Sequence, residues 1–194
     1  MTFTVRPLRD RDELRRVLAT TLDRLGPGFD FRLVGTGAAL LQGVGLAAGD
    51  IDMLVTERAD VDRLAAALSD YACLQAPVWL PEARQYFASY AVDGVEVSIS
   101  TVEWDPPESD TFECVGAGPW RHHVRVDCGG HAVAAVALEL RLVAEIVRDR
   151  PDRLEAIVAH MRAHGADLDL AARALTDGGV PPERREEVLR ALRG

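Results

Sequence analysis

Lysine is absent from this 194-residue sequence, so its basic side chains are arginines and five histidines. A lysine Schiff base and a P-loop both need a lysine amine, and this absence therefore excludes both. Arginine can still bind a phosphate, but its guanidinium does not act as a base near neutral pH.

Cysteines are few, and long apolar runs are missing. Cys73, Cys114 and Cys128 are widely spaced and form no CxxC pair, which argues against a disulfide framework or a thiolate zinc site and favours small buried hydrophobes. No apolar run reaches the roughly 18 residues of a membrane span. The first 16 residues are too rich in Arg, Asp and Glu for a secretory signal. We therefore expect a cytosolic protein with no membrane segment.

Negative charge dominates the composition, with a formal net charge of −9. An acidic protein repels the phosphate backbone, so the charge argues against a broad nucleic-acid surface. It does not argue against a nucleotide, because a metal ion can bridge phosphates to carboxylates. The apolar content of 48% is sufficient for a proper core. The length fits one domain, or a catalytic domain with a small helical appendage.

Hydrophobic periodicity and glycine or proline breaks divide the chain into an α/β part and a helical end. Helices are predicted at 10–25, from 35–37 to Leu41, and at 60–72. Strands are predicted at 29–34, 50–56, 84–92, 95–100, 122–127 and 131–136. From Leu138 the pattern predicts three or four short helices. We therefore predict an α/β (α+β) fold: a mixed sheet flanked by helices in 1–137, and a C-terminal helical segment, 138–194, packed directly on it.

Two aspartates lie two residues apart on the strand predicted at 50–56. Alternation sends the side chains of Asp50 and Asp52 from one face and those of Ile51 and Met53 from the other. Two neighbouring carboxylates repel, and one is pushed toward protonation. A divalent cation removes that conflict, and carboxylate oxygens suit Mg²⁺. A single Asp-x-Asp is weak evidence for a metal site, because most such pairs are solvated turns or strand ends.

A hairpin supplies a third acidic side chain. Asp93-Gly94 between two alternating runs predicts a two-residue turn that pairs Ala91 with Glu96. Glu96 then lies on a small, polar face with serine neighbours, where a ligand has room beside it. The alternative is an ordinary solvent-facing glutamate on a half-buried sheet.

A glycine-rich turn, Gly35-Thr36-Gly37, joins a predicted strand to a helix. Backbone N–H groups in such a turn can bind an anion such as a triphosphate, and the Thr36 hydroxyl can donate to a phosphate oxygen. A tight turn without any ligand fits the same residues.

Together these features resemble the nucleotidyltransferase superfamily of the DNA polymerase beta type. Its pattern is a strand, Gly-Gly or Gly-Ser opening a helix, a further glycine, and an Asp-x-Asp on the next strand. Residues 35–43 and 49–55 match it, and Glu96 matches the third acid. The region 131–153 looks like the stretch leading into the helical tail of smaller bacterial members, which include antibiotic nucleotidyltransferases and abortive-infection toxins. The resemblance covers 30–160.

The sequence departs from the superfamily pattern at two places. Thr36 stands where glycine or serine is usual, which keeps the hydroxyl and adds a methyl group near the phosphates. Arg141 and Arg148 stand where toxin-like relatives tend to carry a lysine.

The resemblance implies a Mg²⁺-dependent enzyme that moves an NMP group from a nucleoside triphosphate to a hydroxyl. The acceptor would be a small molecule such as an antibiotic, or a macromolecule. Asp50, Asp52 and Glu96 would hold two Mg²⁺ ions, with Glu96 also a candidate general base. Gly35, Thr36 and Gly37 would bind the phosphates. Two alternatives stay open: a toxin–antitoxin type nucleotidyltransferase acting on protein or tRNA, and a non-catalytic nucleotide-binding or protein-interaction domain.

The remaining basic and aromatic side chains carry weaker signals. Arg84 is a candidate for the site or a surface residue, and Arg150 and Arg153 are interpreted as helix-surface residues. The rest are interpreted as structural: His122, His123, His131, Trp79, Trp104 and Trp120.

Overall fold

The structure, a computed structural model, describes residues 4–105 and 107–194. Its helices are α1 (Arg11–Leu25), α2 (Gly35–Leu41), α3 (Arg58–Ala67), α4 (Gly118–Arg121), α5 (Leu138–Val147), α6 (Pro151–His164), α7 (Leu168–Asp177) and α8 (Pro182–Arg193). Its strands are β1 (Arg32–Val34), β2 (Asp50–Leu54), β3 (Ala72–Leu80), β4 (Gln85–Val92), β5 (Val95–Ser100), β6 (His123–Cys128) and β7 (His131–Val136).

The seven strands form one mixed sheet in the order β3-β4-β5-β2-β1-β7-β6. β2 pairs with β5 in parallel, β1 pairs with β7 in parallel, and the other neighbours are antiparallel. The predicted fold class is confirmed, and the helical end consists of four helices.

Local sequence explains where several elements begin and end. Asp10 caps α1 by accepting from the Glu13 N–H, and Gly26, at φ 75°, ends the helix. At the β4–β5 turn Asp93 and Gly94 have φ of 53° and 79°. Positive φ at both central residues is the geometry of a type I′ hairpin. The pairing of Ala91 with Glu96 is as predicted.

The prediction was wrong around β3, where the end of one helix was misplaced and one strand was missed. The helix predicted through residue 72 ends at Ala67, and β3, which was not predicted, follows it. β3 is an edge strand with register irregularities, and it contains Pro77. Proline is tolerated at a sheet edge because the ladder needs no donor on the solvent side. The strand predicted at 29–34 is also shorter, since only Arg32–Val34 pairs with β2.

The two faces of the sheet have different coverings. Ile51 and Met53 share an apolar cluster with Leu14 and Leu18 of α1 and Leu64 of α3. On the opposite face Leu54 packs with α5 and α7 residues. The tail helices therefore cover the face from which Asp50 and Asp52 project. A further cluster, from α5 to α8, contains buried leucines and alanines that pack the tail helices on one another and on α2.

No helix in the described part of the chain is both long enough and apolar enough to cross a membrane.

Candidate functional site

Asp50 and Asp52 lie on β2, at the centre of the sheet. Both are half-buried, whereas Ile51 and Met53 between and after them are fully buried on the other face. The two carboxylates therefore leave the same face of the strand, as predicted. Their backbone is fixed on both sides, because β2 is bonded to β5 and β1.

Asp52 carries a strongly perturbed carboxyl group. The Ser98 hydroxyl donates a hydrogen bond of 2.8 Å to its Oδ1. Burial, followed by repulsion from Asp50, raises the pKa of Asp52 to about 6 against the opposing effect of Ser98. An aspartate with this pKa is partly protonated just below neutral pH and is stabilised as an anion by a nearby cation.

Glu96 lies beside Asp50 in the sheet, since the two are Cα partners across the parallel β2–β5 pair. Ser98 takes the corresponding place beside Asp52. The charges that act on Asp52 are those of Asp50, Glu113 and Arg141. Among the described residues no group of three or more His, Cys, Asp or Glu side chains is arranged to hold a metal ion. The sheet thus brings Glu96 next to Asp50, and its role as a third ligand stays a prediction.

The glycine turn lies directly against Asp52. Gly35 has φ of 70°, and a Cβ built on it would come within 2.6 Å of Asp52 Oδ2. A side chain at residue 35 would therefore be strained by its backbone and would collide with the carboxylate. At Gly37 a Cβ would lie 3.4 Å from the Asp50 carbonyl oxygen, which shows how closely α2 packs on β2.

Two polar atoms of the turn already have partners within the chain, the Gly35 amide nitrogen and the Thr36 hydroxyl oxygen. The Gly35 N–H donates to Glu113 Oε1 at 2.9 Å, so a carboxylate lies where a phosphate oxygen was predicted. The Thr36 hydroxyl oxygen accepts a hydrogen bond of 2.9 Å from Arg153 Nη1. The prediction that Arg153 is an ordinary helix-surface residue is therefore wrong: it is half-buried and reaches the turn from α6.

Glu113 belongs to a buried ionic group that the sequence did not reveal. Arg141 Nη1 donates to both Glu113 oxygens, at 2.8 and 3.1 Å, and Arg141 Nε donates to Glu145 at 2.9 Å. All three side chains are buried. Arg141 and Glu145 are four residues apart in an apolar helix, which is a detectable spacing for an ion pair. Glu113 lies in irregular chain, and no local pattern marks it.

The region around Asp52 holds more negative than positive charge. Asp50, Asp52, Glu113 and Glu145 bring four carboxylates, whereas Arg141 lies among them and Arg153 reaches the adjacent glycine turn. One oxygen of Glu145 is buried without a hydrogen-bond partner. Buried like charges are unfavourable unless a cation compensates them. The donor set of aspartate oxygens suits a hard divalent ion such as Mg²⁺.

The other candidates lie away from this group. Arg84 has φ of 48°, pairs with Asp105 at 3.7 Å and stacks near Trp104. Arg150 is exposed at the start of α6. His122 and His131 contact carboxylates, those of Asp110 and Asp23. The remaining tryptophans pack under arginines: Trp79 under Arg58 and Trp120 under Arg32.

Comparison with solved structures identifies the fold. No protein-family profile and no curated protein matches the sequence. A Thermotoga maritima protein with the provisional name nucleotidyltransferase superposes with a TM-score of 0.58 at 20% identity, covering 79% of this chain and 96% of its own. The chain therefore has the nucleotidyltransferase fold.

Two further solved structures are less similar to this chain. A nucleotidyltransferase-like antigenic protein from Paracoccidioides brasiliensis gives a TM-score of 0.48 at 15% identity, with 95% of each chain covered. A Helicobacter pylori protein, also provisionally named a nucleotidyltransferase, gives 0.46 at 14% identity, with 92% of this chain and 80% of its own covered.

Proposed function

We propose that the protein is a Mg²⁺-dependent nucleotidyltransferase that transfers an NMP group from a nucleoside triphosphate to a hydroxyl acceptor. The observation that carries the proposal is the pair Asp50 and Asp52, half-buried on one face of β2, with Asp52 directly over the Gly35 turn. Burial and the neighbouring Asp50 carboxylate disfavour the ionised form of Asp52, and a bound cation would relieve that cost. The fold is consistent with this function.

In this proposal Asp50 and Asp52 hold Mg²⁺, and Glu96, next to Asp50, is the candidate third ligand. Bound Mg²⁺ would supply charge neutralisation on the triphosphate and on the departing pyrophosphate. The acceptor hydroxyl oxygen forms a bond to the α-phosphorus as the bond from that phosphorus to the bridging oxygen breaks. Glu96 accepts the hydroxyl proton, and pyrophosphate leaves with the bonding electron pair.

The acceptor is a small molecule with a free hydroxyl, such as an antibiotic, or a protein side chain. A net charge of −9 disfavours a broad contact with nucleic acid, so the transfer to tRNA that some superfamily members perform is the less favoured variant.

Incubation with α-labelled nucleoside triphosphates, Mg²⁺ and a panel of hydroxyl acceptors tests the proposal. We expect label to be transferred by the wild-type protein and to be lost in Asp50→Asn and Asp52→Asn. Asp127→Asn is the matched control, because it removes an exposed carboxylate from a strand at the far edge of the sheet. Full transfer by either site variant would reject the metal assignment.

A second candidate function is nucleotide binding without transfer. It is favoured by the arrangement of the acidic side chains, since no three of them form a metal-holding group in the described residues. It is also favoured by Glu113, whose carboxylate accepts the hydrogen bond from the Gly35 N–H that was predicted to bind a phosphate oxygen. Calorimetry with a nucleoside triphosphate and Mg²⁺ separates the candidates: binding with no transfer to any acceptor supports this one, and no binding rejects both.

A further inference from the structure

Arg153 is an arginine from the tail that lies at the glycine turn. It is the third residue of α6, and its Nη1 donates a hydrogen bond of 2.9 Å to the Thr36 hydroxyl. The two residues are separated by 117 positions in sequence. The tail thus delivers a positive charge to the same turn that contacts Asp52.

The guanidinium of Arg153 lacks a counter-ion. In the described part of the chain no carboxylate oxygen lies within 4.0 Å of it, whereas Arg141 of α5 is held by two carboxylates. Its one side-chain partner is the neutral oxygen of Thr36. A half-buried guanidinium that donates one of its five N–H groups to a neutral acceptor has donors left for an anion.

The Thr36 hydroxyl adds a donor at the same point. Because its oxygen accepts from Arg153, its own hydrogen is free to be donated elsewhere. Arg153 and Thr36 therefore present a planar cationic fork and a neutral O–H side by side. This combination matches the non-bridging oxygens of a phosphate group.

We propose that Arg153 binds the β- and γ-phosphates of the nucleotide, with the Thr36 hydroxyl as its partner. The inference rests on the proposed function, and it adds that the nucleotide site is shared between the sheet and α6. Arg153 then distinguishes a triphosphate from a monophosphate, because the groups that it contacts are absent from AMP.

The competing explanation is structural: the Arg153–Thr36 hydrogen bond only fastens α6 to the turn. In that case removal of the guanidinium would lower the free energy of unfolding, and it would lower the affinity for all nucleotides by the same factor. The ratio of triphosphate to monophosphate affinity separates the two explanations, because a fastening role does not change it.

Calorimetry with Mg²⁺ measures this ratio for α,β-methylene-ATP and AMP. We expect Arg153→Gln to lower the affinity for the triphosphate analogue by about tenfold or more, as for a lost charge-assisted hydrogen bond. The affinity for AMP should change by no more than about twofold. Arg153→Lys keeps the charge and should recover part of the loss. Arg150→Gln is the control, since Arg150 is an exposed arginine at the start of the same helix.

Each result decides the point. Equal affinities of wild-type protein and Arg153→Gln for the analogue, or an equal loss for AMP, would overturn the assignment while leaving the proposed function in place. No binding of adenine, guanine, cytosine or uracil nucleoside triphosphates by the wild-type protein would overturn the proposed function and this inference with it. If Arg153→Gln fails to fold, Thr36→Val supplies the comparison, because it removes the hydroxyl proposed to bind the phosphate beside Arg153.

Discussion

Replacement of Asp52 by asparagine is expected to stabilise the metal-free protein. The half-buried carboxylate is repelled by Asp50, and burial and this repulsion together raise its pKa to about 6. Asparagine removes the charge and keeps Oδ1 as the acceptor for the Ser98 hydroxyl. The shape of the side chain is also kept, which matters because Gly35 lies directly beneath it.

The size of the effect follows from the pKa. An ordinary aspartate in an unfolded chain titrates near 3.9, about two units lower, and one unit corresponds to about 1.4 kcal/mol. At pH 7 the ionised Asp52 therefore costs the folded state up to about 3 kcal/mol. We expect the substitution to raise the free energy of unfolding by about 1 to 3 kcal/mol, or the melting temperature by roughly 2–4 °C per kcal/mol.

The pH dependence has a definite sign. Since the folded pKa of Asp52 lies above the unfolded pKa, the folded protein binds this proton more tightly. The contribution of Asp52 makes stability fall as the pH rises from about 4 to about 6, and the penalty is constant above that range. Urea denaturation in EDTA at several pH values between 4.5 and 8 measures it. The difference between wild-type protein and Asp52→Asn should grow from pH 4.5 to slightly above pH 6 and stay constant from there to pH 8.

Addition of Mg²⁺ completes the test. If Mg²⁺ binds the folded state as proposed, it should stabilise the wild-type protein by mass action, and Asp52→Asn should lose most of that gain. The reasoning would be refuted by parallel pH profiles for the two proteins in EDTA. An equal Mg²⁺ gain in both would refute the metal assignment alone.

Three other substitutions or probes follow from the same contacts. Gly35→Ala should destabilise the protein more than Gly28→Ala: both residues have positive φ, which costs about 1–2 kcal/mol for alanine, but only the first collides with a neighbour. The midpoints of urea unfolding compare the two variants, and equal losses of stability would show that the Asp52 side chain moves aside at little cost. Arg141→Gln leaves two buried carboxylates without their cation and should cost about 3–5 kcal/mol by urea denaturation; a loss under about 1 kcal/mol would mean that water reaches them. Burial of the thiol raises the pKa of Cys114 far above its usual range, so Ellman's reagent should modify exposed Cys73 well before Cys114, which is only partly exposed, and unfolding should remove the difference.

The central strands and the hairpin could be predicted from sequence because their signals are local. Alternation over 50–54 predicted which face carries Asp50 and Asp52, and the turn at Asp93-Gly94 predicted the register that pairs Ala91 with Glu96. The parallel β2–β5 pairing that brings Glu96 beside Asp50 is non-local and was not predicted. Where local signals were weak, the prediction failed. β3 contains a proline and lies at the sheet edge, so neither periodicity nor composition marks it.

The polar partners of the site could not be predicted because they come together over long sequence distances. Glu113 contacts Gly35 across 78 positions, and Arg153 contacts Thr36 across 117. Neither contact has a fixed spacing or a recurring pattern. The side chains that complete an active site from irregular chain or from a distant helix depend on tertiary packing, which a single sequence does not display.

The alternation along β2 ties the candidate metal site to the folding of the sheet. A slip of one residue in its pairing with β1 or β5 would turn both aspartates into the apolar layer formed by α1 and α3. It would turn Ile51 and Met53 toward the opposite face, from which the aspartates now project. Such a mispaired sheet would bury two carboxylates without water or a partner, and it would also lose the packing of its apolar side chains. A misregistered chain would therefore unfold rather than persist as a folded but inactive species. Single-residue insertions or deletions at 46–49 that shift this register should therefore lower the free energy of unfolding, which urea denaturation would measure.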